Sequence, residues 1–273
     1  MRLRFTALFA IAAMAVVTSA PAAIVYVGPD EGPDGPGGMT GWMGADAWFG
    51  QVTESNDEGP GGSDAMLFGA PTSVSGNSLD FSPTGFLASV NSTGPLVSEI
   101  VDSQLSMMIV AKPGKVLDNL RFTEAGDTTL AGNPASFTTA SSVTNEVFID
   151  VVEVDGMPIS GFNIQAQMTF TPSGGTYSMA QDSNGFPIFS TDWSGSVDVD
   201  IAQALLNEGI AFQFGVTKIN VTLDNTLTAV ASDGGSSFIK KKDFDGLIIT
   251  TNIPEPSSLA LLALAGLAAR RRR

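Results

Sequence analysis

The pattern that most constrains the fold is a strict alternation of apolar and polar residues in the middle of the chain. Between positions 161 and 171, every second residue is apolar: Phe162, Ile164, Ala166, Met168 and Phe170. Successive side chains of a β-strand point to opposite faces of its sheet, so a period of two predicts a strand with one buried face. Residues 143–154 alternate similarly and end in Asp155-Gly156, a pair typical of a tight hairpin turn.

Other short segments rich in β-branched and aromatic residues are separated by Gly, Asn, Asp and Pro. With the two above, the predicted strands are residues 24–27, 96–111, 116–123, 143–154, 161–171, 176–180, 196–201, 211–223, 226–231 and 244–251. Only residues 201–207 predict a short helix, which Gly209 ends. This pattern predicts one all-β domain with a β-sandwich fold, jelly-roll or immunoglobulin-like, flanked by an N-terminal signal helix and a C-terminal hydrophobic helix.

Two residue types that carry much of enzyme chemistry are missing. The 273 residues include no His and no Cys, which excludes Ser-His-Asp catalysis, thiolate catalysis and metal sites built on His or Cys. Any remaining chemistry would rest on carboxylates, as in a glycosidase with paired acids or a calcium site. No catalytic residue is predicted, and the chain is not expected to be an enzyme.

The charge is strongly acidic. There are 28 acidic and 13 basic residues, a formal net charge of −15, and six of the basic residues lie in the two end segments. Such a surface repels nucleic acid, so no nucleic-acid partner is expected. It is compatible with divalent cations or neutral polymers.

The first 22 residues have the layout of a secretory signal. Arg2 and Arg4 precede an apolar stretch at residues 5–17, and small residues follow it. Ala20 and Ala22 flank Pro21 in a small-x-small pattern, so cleavage by signal peptidase is expected after Ala22.

Residues 253–273 combine three features. A Pro-Glu-Pro triplet is followed by an apolar stretch and a basic cluster, formed by Pro254, Glu255, Pro256 and by Arg270, Arg271, Arg272, Arg273. As a helix, residues 257–269 would be about 20 Å long, shorter than the hydrocarbon core of about 30 Å. We expect transient membrane insertion rather than permanent anchoring, with the arginines kept cytoplasmic by the positive-inside rule.

This tail resembles the PEP-CTERM sorting signal, the substrate tag of exosortase-type membrane proteases in Gram-negative and related bacteria. The resemblance implies that an exosortase recognises Pro254, Glu255 and Pro256 and removes the helix. It also implies that the body, residues 23–252, is exported to the cell surface or the extracellular matrix.

The body offers weak candidates for a calcium site. Six of the candidates are among the eight acids of a Gly-rich stretch at residues 28–64, predicted to form long loops, and two more lie two positions apart on a predicted strand. These candidates are Asp30, Glu31, Asp34, Asp57, Glu58, Asp64, Asp198 and Asp200. Carboxylate oxygens suit calcium, but each group also fits a solvated loop or strand face. No cofactor is predicted, and calcium is the one alternative.

Two further motifs have alternative interpretations. Trp42, Trp48 and Trp193 would stack on sugar rings if exposed, or would pack in the core. The basic run at residues 240–242 predicts an exposed turn or strand edge.

Taken together, these features favour a structural or adhesive, non-enzymatic surface or matrix protein. The first alternative is a calcium-dependent carbohydrate-binding module with exopolysaccharide as its partner. The second is a glycosidase with paired carboxylates.

Overall fold

The computed structural model describes residues 23–32, 40–56, 65–242 and 246–251. Most of this described part is strand, and the strands form two antiparallel sheets. The all-β prediction is confirmed, and two sheets are consistent with a β-sandwich. The helices predicted at the two ends of the chain lie outside the described residues.

The strands and helices are numbered in chain order. The strands are β1 (Ile24–Val25), β2 (Asp30–Glu31), β3 (Thr40–Met43), β4 (Ala47–Ser55), β5 (Ser73–Ser75), β6 (Ser78–Phe81), β7 (Leu87–Asn91), β8 (Val97–Ala111), β9 (Asn119–Ala131), β10 (Ala140–Val154), β11 (Met157–Pro158), β12 (Asn163–Gln167), β13 (Thr169–Thr171), β14 (Thr176–Ser178), β15 (Ile188–Asp200), β16 (Val216–Ala231), β17 (Ser236–Lys241) and β18 (Leu247–Thr251). The helices are α1 (Met179–Asp182), α2 (Ile201–Asn207) and a 3-10 turn at Ser173–Gly175.

Long central strands organise both sheets. Sheet A has the order β11-β10-β16-β8-β4-β3-β2, with β1 paired to β4 and with β12 and β14 paired to β10. Sheet B has the order β13-β15-β9-β18-β6-β5, and β17 lies between β9 and β7. Because β15 pairs with the whole of β9, β17 and β18 follow one another along the opposite edge of β9.

The apolar core lies between the inward faces of the sheets. Leu105, Val147 and Leu223 of sheet A and Leu130 and Ile239 of sheet B are fully buried members of one apolar cluster. Burial alternates along β9, β10 and β16, as the period-two pattern predicts. Removing this apolar surface from water is the main force that holds the sheets together.

The segment with the clearest alternation is not a single strand. Residues 163–167 form β12 and pair with β10 in sheet A, whereas residues 169–171 form β13 and pair with β15 in sheet B. The chain changes sheets at Met168, which is buried and whose N–H donates to the carbonyl of Asn145 over 3.1 Å. The alternation survives because both sheets face the same core, and periodicity cannot indicate which sheet supplies the partner.

Two predictions of loops or breaks were wrong. The stretch at residues 28–64 was expected to form long loops, but it contains β3 and the nine-residue strand β4. Trp48 of β4 packs over Gly50, where an added Cβ would lie 1.8 Å from the indole ring.

Residues 211–223 and 226–231 were expected to be two strands, but β16 runs unbroken through Asp224 and Asn225 because both remain paired with β8 and β10.

Local signals identified other features correctly. The predicted helix at residues 201–207 is α2, and Gly209 follows it with a φ of +75°. The turn predicted at Asp155-Gly156 joins β10 to β11, with φ values of +53° and +74°. Asp155 and Gly156 thus adopt the left-handed backbone conformation, which Asp and Gly tolerate.

Candidate functional site

The residues that the sequence predicts for export and sorting lie outside the described part of the chain. They are Ala20, Ala22, Pro254, Glu255, Pro256, Arg270, Arg271, Arg272 and Arg273. None of the helices within the described ranges is long and apolar enough to cross a membrane.

Half of the candidate calcium ligands also lie outside the described ranges, namely Asp34, Asp57, Glu58 and Asp64. Asp30 and Glu31 form β2, and Oδ2 of Asp30 accepts a hydrogen bond from the N–H of Met43 over 2.8 Å. This contact fastens β2 to the adjoining strand. The described ranges contain no group of three or more acidic residues arranged to hold a metal ion.

Asp198 and Asp200 already have partners within the protein. The carboxylate of Asp198 forms a two-pronged contact with Arg121, at 2.6 Å from Nε and 2.8 Å from Nη2, and this pairing raises the pKa of the Arg121 guanidinium. Oδ1 of Asp200 caps α2 by accepting the N–H of Gln203 over 2.7 Å. The structure therefore gives each carboxylate a structural role, and calcium binding here stays a prediction.

The tryptophans belong to the core. Trp42, Trp48 and Trp193 are only 7%, 2% and 2% exposed. The Trp193 ring packs over Gly126 of the neighbouring strand, where an added Cβ would lie 2.0 Å from the ring. The alternative that these rings stack on sugars was wrong, because a buried ring offers no face to a ligand.

The described surface has two shallow depressions in which paired carboxylates could lie. One lies over β9, β13 and β15; its single acidic lining residue is Glu124, whose side chain is completely buried and paired with Lys241. The other lies over β10, β12 and β16, and its single acidic lining residue is Asp150. Neither depression therefore presents two carboxylates side by side, as the glycosidase mechanism requires.

The most unusual chemistry lies between the sheets, around Lys241. Residues 240–242 were expected to form an exposed turn or edge, but the Lys241 side chain is completely buried. The expectation fails because β17 is flanked by β9 and β7 and so is not an edge strand. Ile239 and Lys241 share the inward face of β17, so the period-two pattern was the signal that could have located this lysine.

Lys241 belongs to a four-residue group, here called the Lys241 cluster. Glu124 and Lys241 come from sheet B, whereas Asn145 and Asn225 come from sheet A and lie directly opposite each other on β10 and β16. Lys241 Nζ lies 2.6 Å from Oε2 of Glu124 and donates to Oδ1 of Asn225 over 2.7 Å. Asn145 Nδ2 donates to Oε1 of Glu124 over 2.8 Å. No motif or spacing in the sequence points to Glu124, Asn145 or Asn225 as members of one site.

Aromatic rings surround the amine. Lys241 Nζ lies 5.5 Å from the ring centroid of Phe68, 5.0 Å from that of Phe86 and 6.0 Å from that of Trp193. Burial lowers the pKa of Lys241, although the neighbouring Glu124 opposes this effect. Burying an ion pair costs several kcal/mol per ion, which only close geometry and additional hydrogen bonds offset. The cluster thus holds an amine, a carboxyl and two carboxamides together away from water.

A second buried carboxylate supports one wall of this cluster. Glu54 Oε1 accepts the N–H groups of Leu67 and Phe68 over 2.8 and 2.9 Å and the hydroxyl of Ser103 over 3.0 Å. Its other oxygen accepts the hydroxyl of Tyr26 over 2.5 Å. Burial, followed by the hydrogen bond to Glu54, raises the pKa of Tyr26. Glu54 thereby fixes the segment that places Phe68 beside Lys241.

Comparison with known proteins identifies the C-terminal tail. Residues 252–273 match the family model described as the PEP-CTERM protein-sorting motif. The chain therefore carries this motif, as the sequence resemblance indicated. No curated protein matches the chain.

Similarity to solved structures is weak. The family 11 xylanase from Neocallimastix patriciarum is 9% identical, with a TM-score of 0.20, covering 85% of this chain and 100% of the xylanase. A loop-swap mutant of Xyn11A from the same organism is 10% identical, with a TM-score of 0.21, covering 80% of this chain and 98% of the mutant. Scores this low support no conclusion about fold or activity.

Proposed function

We propose that this chain is a structural or adhesive, non-enzymatic protein of the cell surface or extracellular matrix. The observation that carries the proposal is the PEP-CTERM motif at residues 252–273, which implies processing by exosortase, a membrane protein. In this proposal, signal peptidase removes residues 1–22, the C-terminal helix inserts transiently in the membrane, and exosortase then frees or transfers the body.

The architecture of the body supports a structural role. We propose that the two sheets form a β-sandwich with jelly-roll or immunoglobulin-like connections, because their inward faces share one apolar cluster. Two depressions in the described surface each have a single acidic lining residue, Asp198 pairs with Arg121, and Asp200 accepts the backbone N–H of Gln203. These observations favour a scaffold over a glycosidase.

Localisation of tail variants in the producing bacterium tests this proposal. Wild-type protein should appear at the surface or in the matrix without its tail, whereas Pro254→Ala/Glu255→Ala should accumulate in the membrane fraction with the tail attached. Ser257→Ala is the matched control, because it changes a residue just beyond the triplet and should be processed normally. Equal processing of all three proteins would refute sorting through the triplet.

A second candidate function is carbohydrate binding. Phe137 and Phe186 are 70% and 66% exposed, and they lie in loops that meet through a hydrogen bond from the N–H of Gly132 to the carbonyl of Pro187. Exposed aromatic faces can stack on the apolar faces of sugar rings. This candidate would place sugar contacts at the loop end of the sheets rather than at the buried tryptophans.

Binding of the secreted protein to the producing cell's own exopolysaccharide, with and without calcium, tests this candidate. Saturable binding that is lost on chelation and weakened at least tenfold by Phe137→Ala/Phe186→Ala would support a calcium-dependent module. Phe148→Ala, a partly exposed aromatic on β10, is the control. Absence of binding in both conditions would leave the structural role.

A further inference from the structure

The Lys241 cluster contains the three groups needed to form an amide bond between side chains. An amine can act as a nucleophile, a carboxamide can act as an acyl donor, and a carboxyl can carry a proton between them. All of these groups are fully or almost fully buried: Lys241 0%, Asn225 0%, Asn145 1% and Glu124 2% exposed. Water, the usual competitor for an acyl group, is therefore kept away from them.

The amine lies close to the carbon that it would attack. Lys241 Nζ is 2.7 Å from Oδ1 of Asn225, and a carbonyl carbon lies about 1.23 Å from its oxygen. Nζ is therefore within about 4 Å of Cγ, and reacting atoms held at about 3–3.5 Å are in attack position. A small movement of the flexible lysine side chain closes the remaining gap.

The surroundings favour the reactive form of the amine. Only a neutral amine has the lone pair needed for attack, and a lysine removed from water and placed among apolar groups loses its proton more readily. Burial among Phe68, Phe86 and Trp193 has this effect, and it lowers the pKa of Lys241. Glu124, whose Oε2 lies 2.6 Å from Nζ, is placed to receive the proton.

We propose that Lys241 Nζ attacks Cγ of Asn225 and forms an intramolecular isopeptide bond between β17 of sheet B and β16 of sheet A. The new bond joins Nζ to Cγ, and the bond between Cγ and Nδ2 breaks. Glu124 takes a proton from Nζ and delivers it to Nδ2, which leaves as ammonia. An amine and a carboxamide become a secondary amide and ammonia, so the step needs no oxidant, reductant or other reactant.

The two asparagines differ in the role that they can play. Asn145 Nδ2 is engaged by Oε1 of Glu124, so this residue positions the carboxyl group. Asn225 Nδ2 has no hydrogen-bond partner among the described residues, and its oxygen faces the amine. Asn225 therefore offers the amide nitrogen that can leave at the smaller cost in lost hydrogen bonds.

This covalent link is independent of the proposed surface function. It would bind the two sheets together in a chain that has no cysteine and so cannot use a disulfide for that purpose. The reaction requires only the folded protein, because the four residues converge from four different strands.

Peptide mapping of the purified full chain tests the proposal directly. Trypsin should separate residues 219–240, which contain Asn225, from Lys241 in an unmodified chain. We expect instead that cleavage after Lys241 fails and that residues 219–240 stay joined to Lys241 with the mass of one ammonia missing. Peptide masses, rather than the intact mass, are used because processing at either end would change the intact mass. Recovery of unmodified Asn225 and Lys241 from folded protein would overturn the proposal, as would a link to Asn145.

Variants separate bond formation from folding. Glu124→Gln keeps the size of the side chain but cannot carry the proton, so the joined peptide should be lost while the far-UV circular dichroism spectrum is retained. Asn225→Ala should lose it as well. Lys240→Arg, which changes the adjacent lysine, should keep the joined peptide at the wild-type level. A joined peptide in Glu124→Gln at the wild-type level would exclude the proton-transfer role of Glu124.

Discussion

Lys241 and Glu124 form an ion pair of 2.6 Å in which both side chains are completely buried, although they come from strands that are far apart in the sequence. Before the proposed isopeptide bond forms, each charge is tolerated only because the other is present. The carboxylate of Glu124 compensates the charge of the amine. Asn145 donates a hydrogen bond to Glu124, and Asn225 accepts one from Lys241.

Removing one member of this pair should be much worse than removing both. Lys241→Met leaves Glu124 buried without its cation, whereas Lys241→Met/Glu124→Leu leaves no charge there. The free energy of unfolding of the single variant should therefore be about 3–5 kcal/mol lower than that of the double variant, because an uncompensated charge remains in its core. Neither variant can form the isopeptide bond, so their comparison isolates the unpaired charge. Urea unfolding followed by tryptophan fluorescence measures both, and equal destabilisation would contradict the prediction.

The hydrogen bonds of Glu54 should stabilise the segment at residues 65–69. Glu54→Gln places an amide NH₂ among groups that donate hydrogen bonds, and we expect a loss of about 2–3 kcal/mol, since bonds to a charged group contribute about 1.5–3 kcal/mol. Tyr26→Phe removes one donor and should cost about 1 kcal/mol. Hydrogen exchange at Leu67 and Phe68 should accelerate in Glu54→Gln but not in Tyr26→Phe. Unchanged protection in Glu54→Gln would show that other contacts hold this segment.

Asp224 should destabilise the protein at neutral pH. Burial, followed by the charges of Asp102 and Glu146, raises the pKa of Asp224 above its ordinary value of 3.8. An acid whose pKa is raised by folding binds its proton more tightly in the folded state than in the unfolded state. Its favourable contribution to stability is therefore present at low pH and is lost as the pH rises through the folded pKa. Asp224→Asn should therefore stabilise the protein at pH 7 by on the order of 0.5 kcal/mol after solvent screening.

Thermal unfolding at two pH values checks this prediction. The melting temperature of Asp224→Asn should exceed that of the wild type at neutral pH, and the difference should vanish below the ordinary pKa of 3.8. Asp150→Asn, a change on the exposed side of β10, is the matched control and should have a smaller effect at neutral pH. A lower melting temperature for Asp224→Asn at pH 7 would contradict the assigned repulsion.

Asp155 should have the opposite pH dependence. Its carboxylate accepts the N–H groups of Gln213, Phe214 and Gly215 over 2.7, 2.7 and 2.9 Å, which lowers the pKa of Asp155 below 3.8. An acid whose pKa is lowered by folding stabilises the protein at pH values above its ordinary pKa, and this stabilisation is lost as the pH falls through the folded pKa. Asp155→Asn should thus destabilise the protein at pH 7 and have little effect in strong acid.

Asparagine is the appropriate replacement at this position, because it tolerates the positive φ of the turn and keeps one acceptor oxygen. The melting temperature measured from acid to neutral pH checks the prediction. A difference from the wild type that does not change with pH would indicate that the carboxylate charge is not what holds residues 213–215.

Prediction from sequence succeeded where the signal was local. Helix α2, its end near Gly209 and the turn at Asp155-Gly156 depend on a few neighbouring residues, and all were found as predicted. Strands β8 and β10 were also located closely, because alternation and apolar content can be recognised within one segment. Prediction failed at Asp224-Asn225, where polar residues typical of a turn are carried through a strand by partners on both sides.

The Lys241 cluster could not be found from sequence. A lysine within a basic run is usually solvated, and the position of Lys241 on the inward face is informative only once β17 is known to lie between two strands. Its partners occupy three other strands, so no spacing in the chain connects them. The calcium candidates show the reverse case, in which adjacent acids such as Asp198 and Asp200 have separate structural partners.

The sequence by itself determined the sorting motif, the all-β class and which residues face inward on most strands, because these depend on short motifs and on a two-residue period. Tertiary structure alone decided that the chain changes sheets at Met168, that β17 is flanked on both sides, and that Lys241 meets Glu124 and Asn225 away from water. Alternation specifies the face of a side chain but not the strand beside it. Partners across a core are selected by the packing of the whole domain.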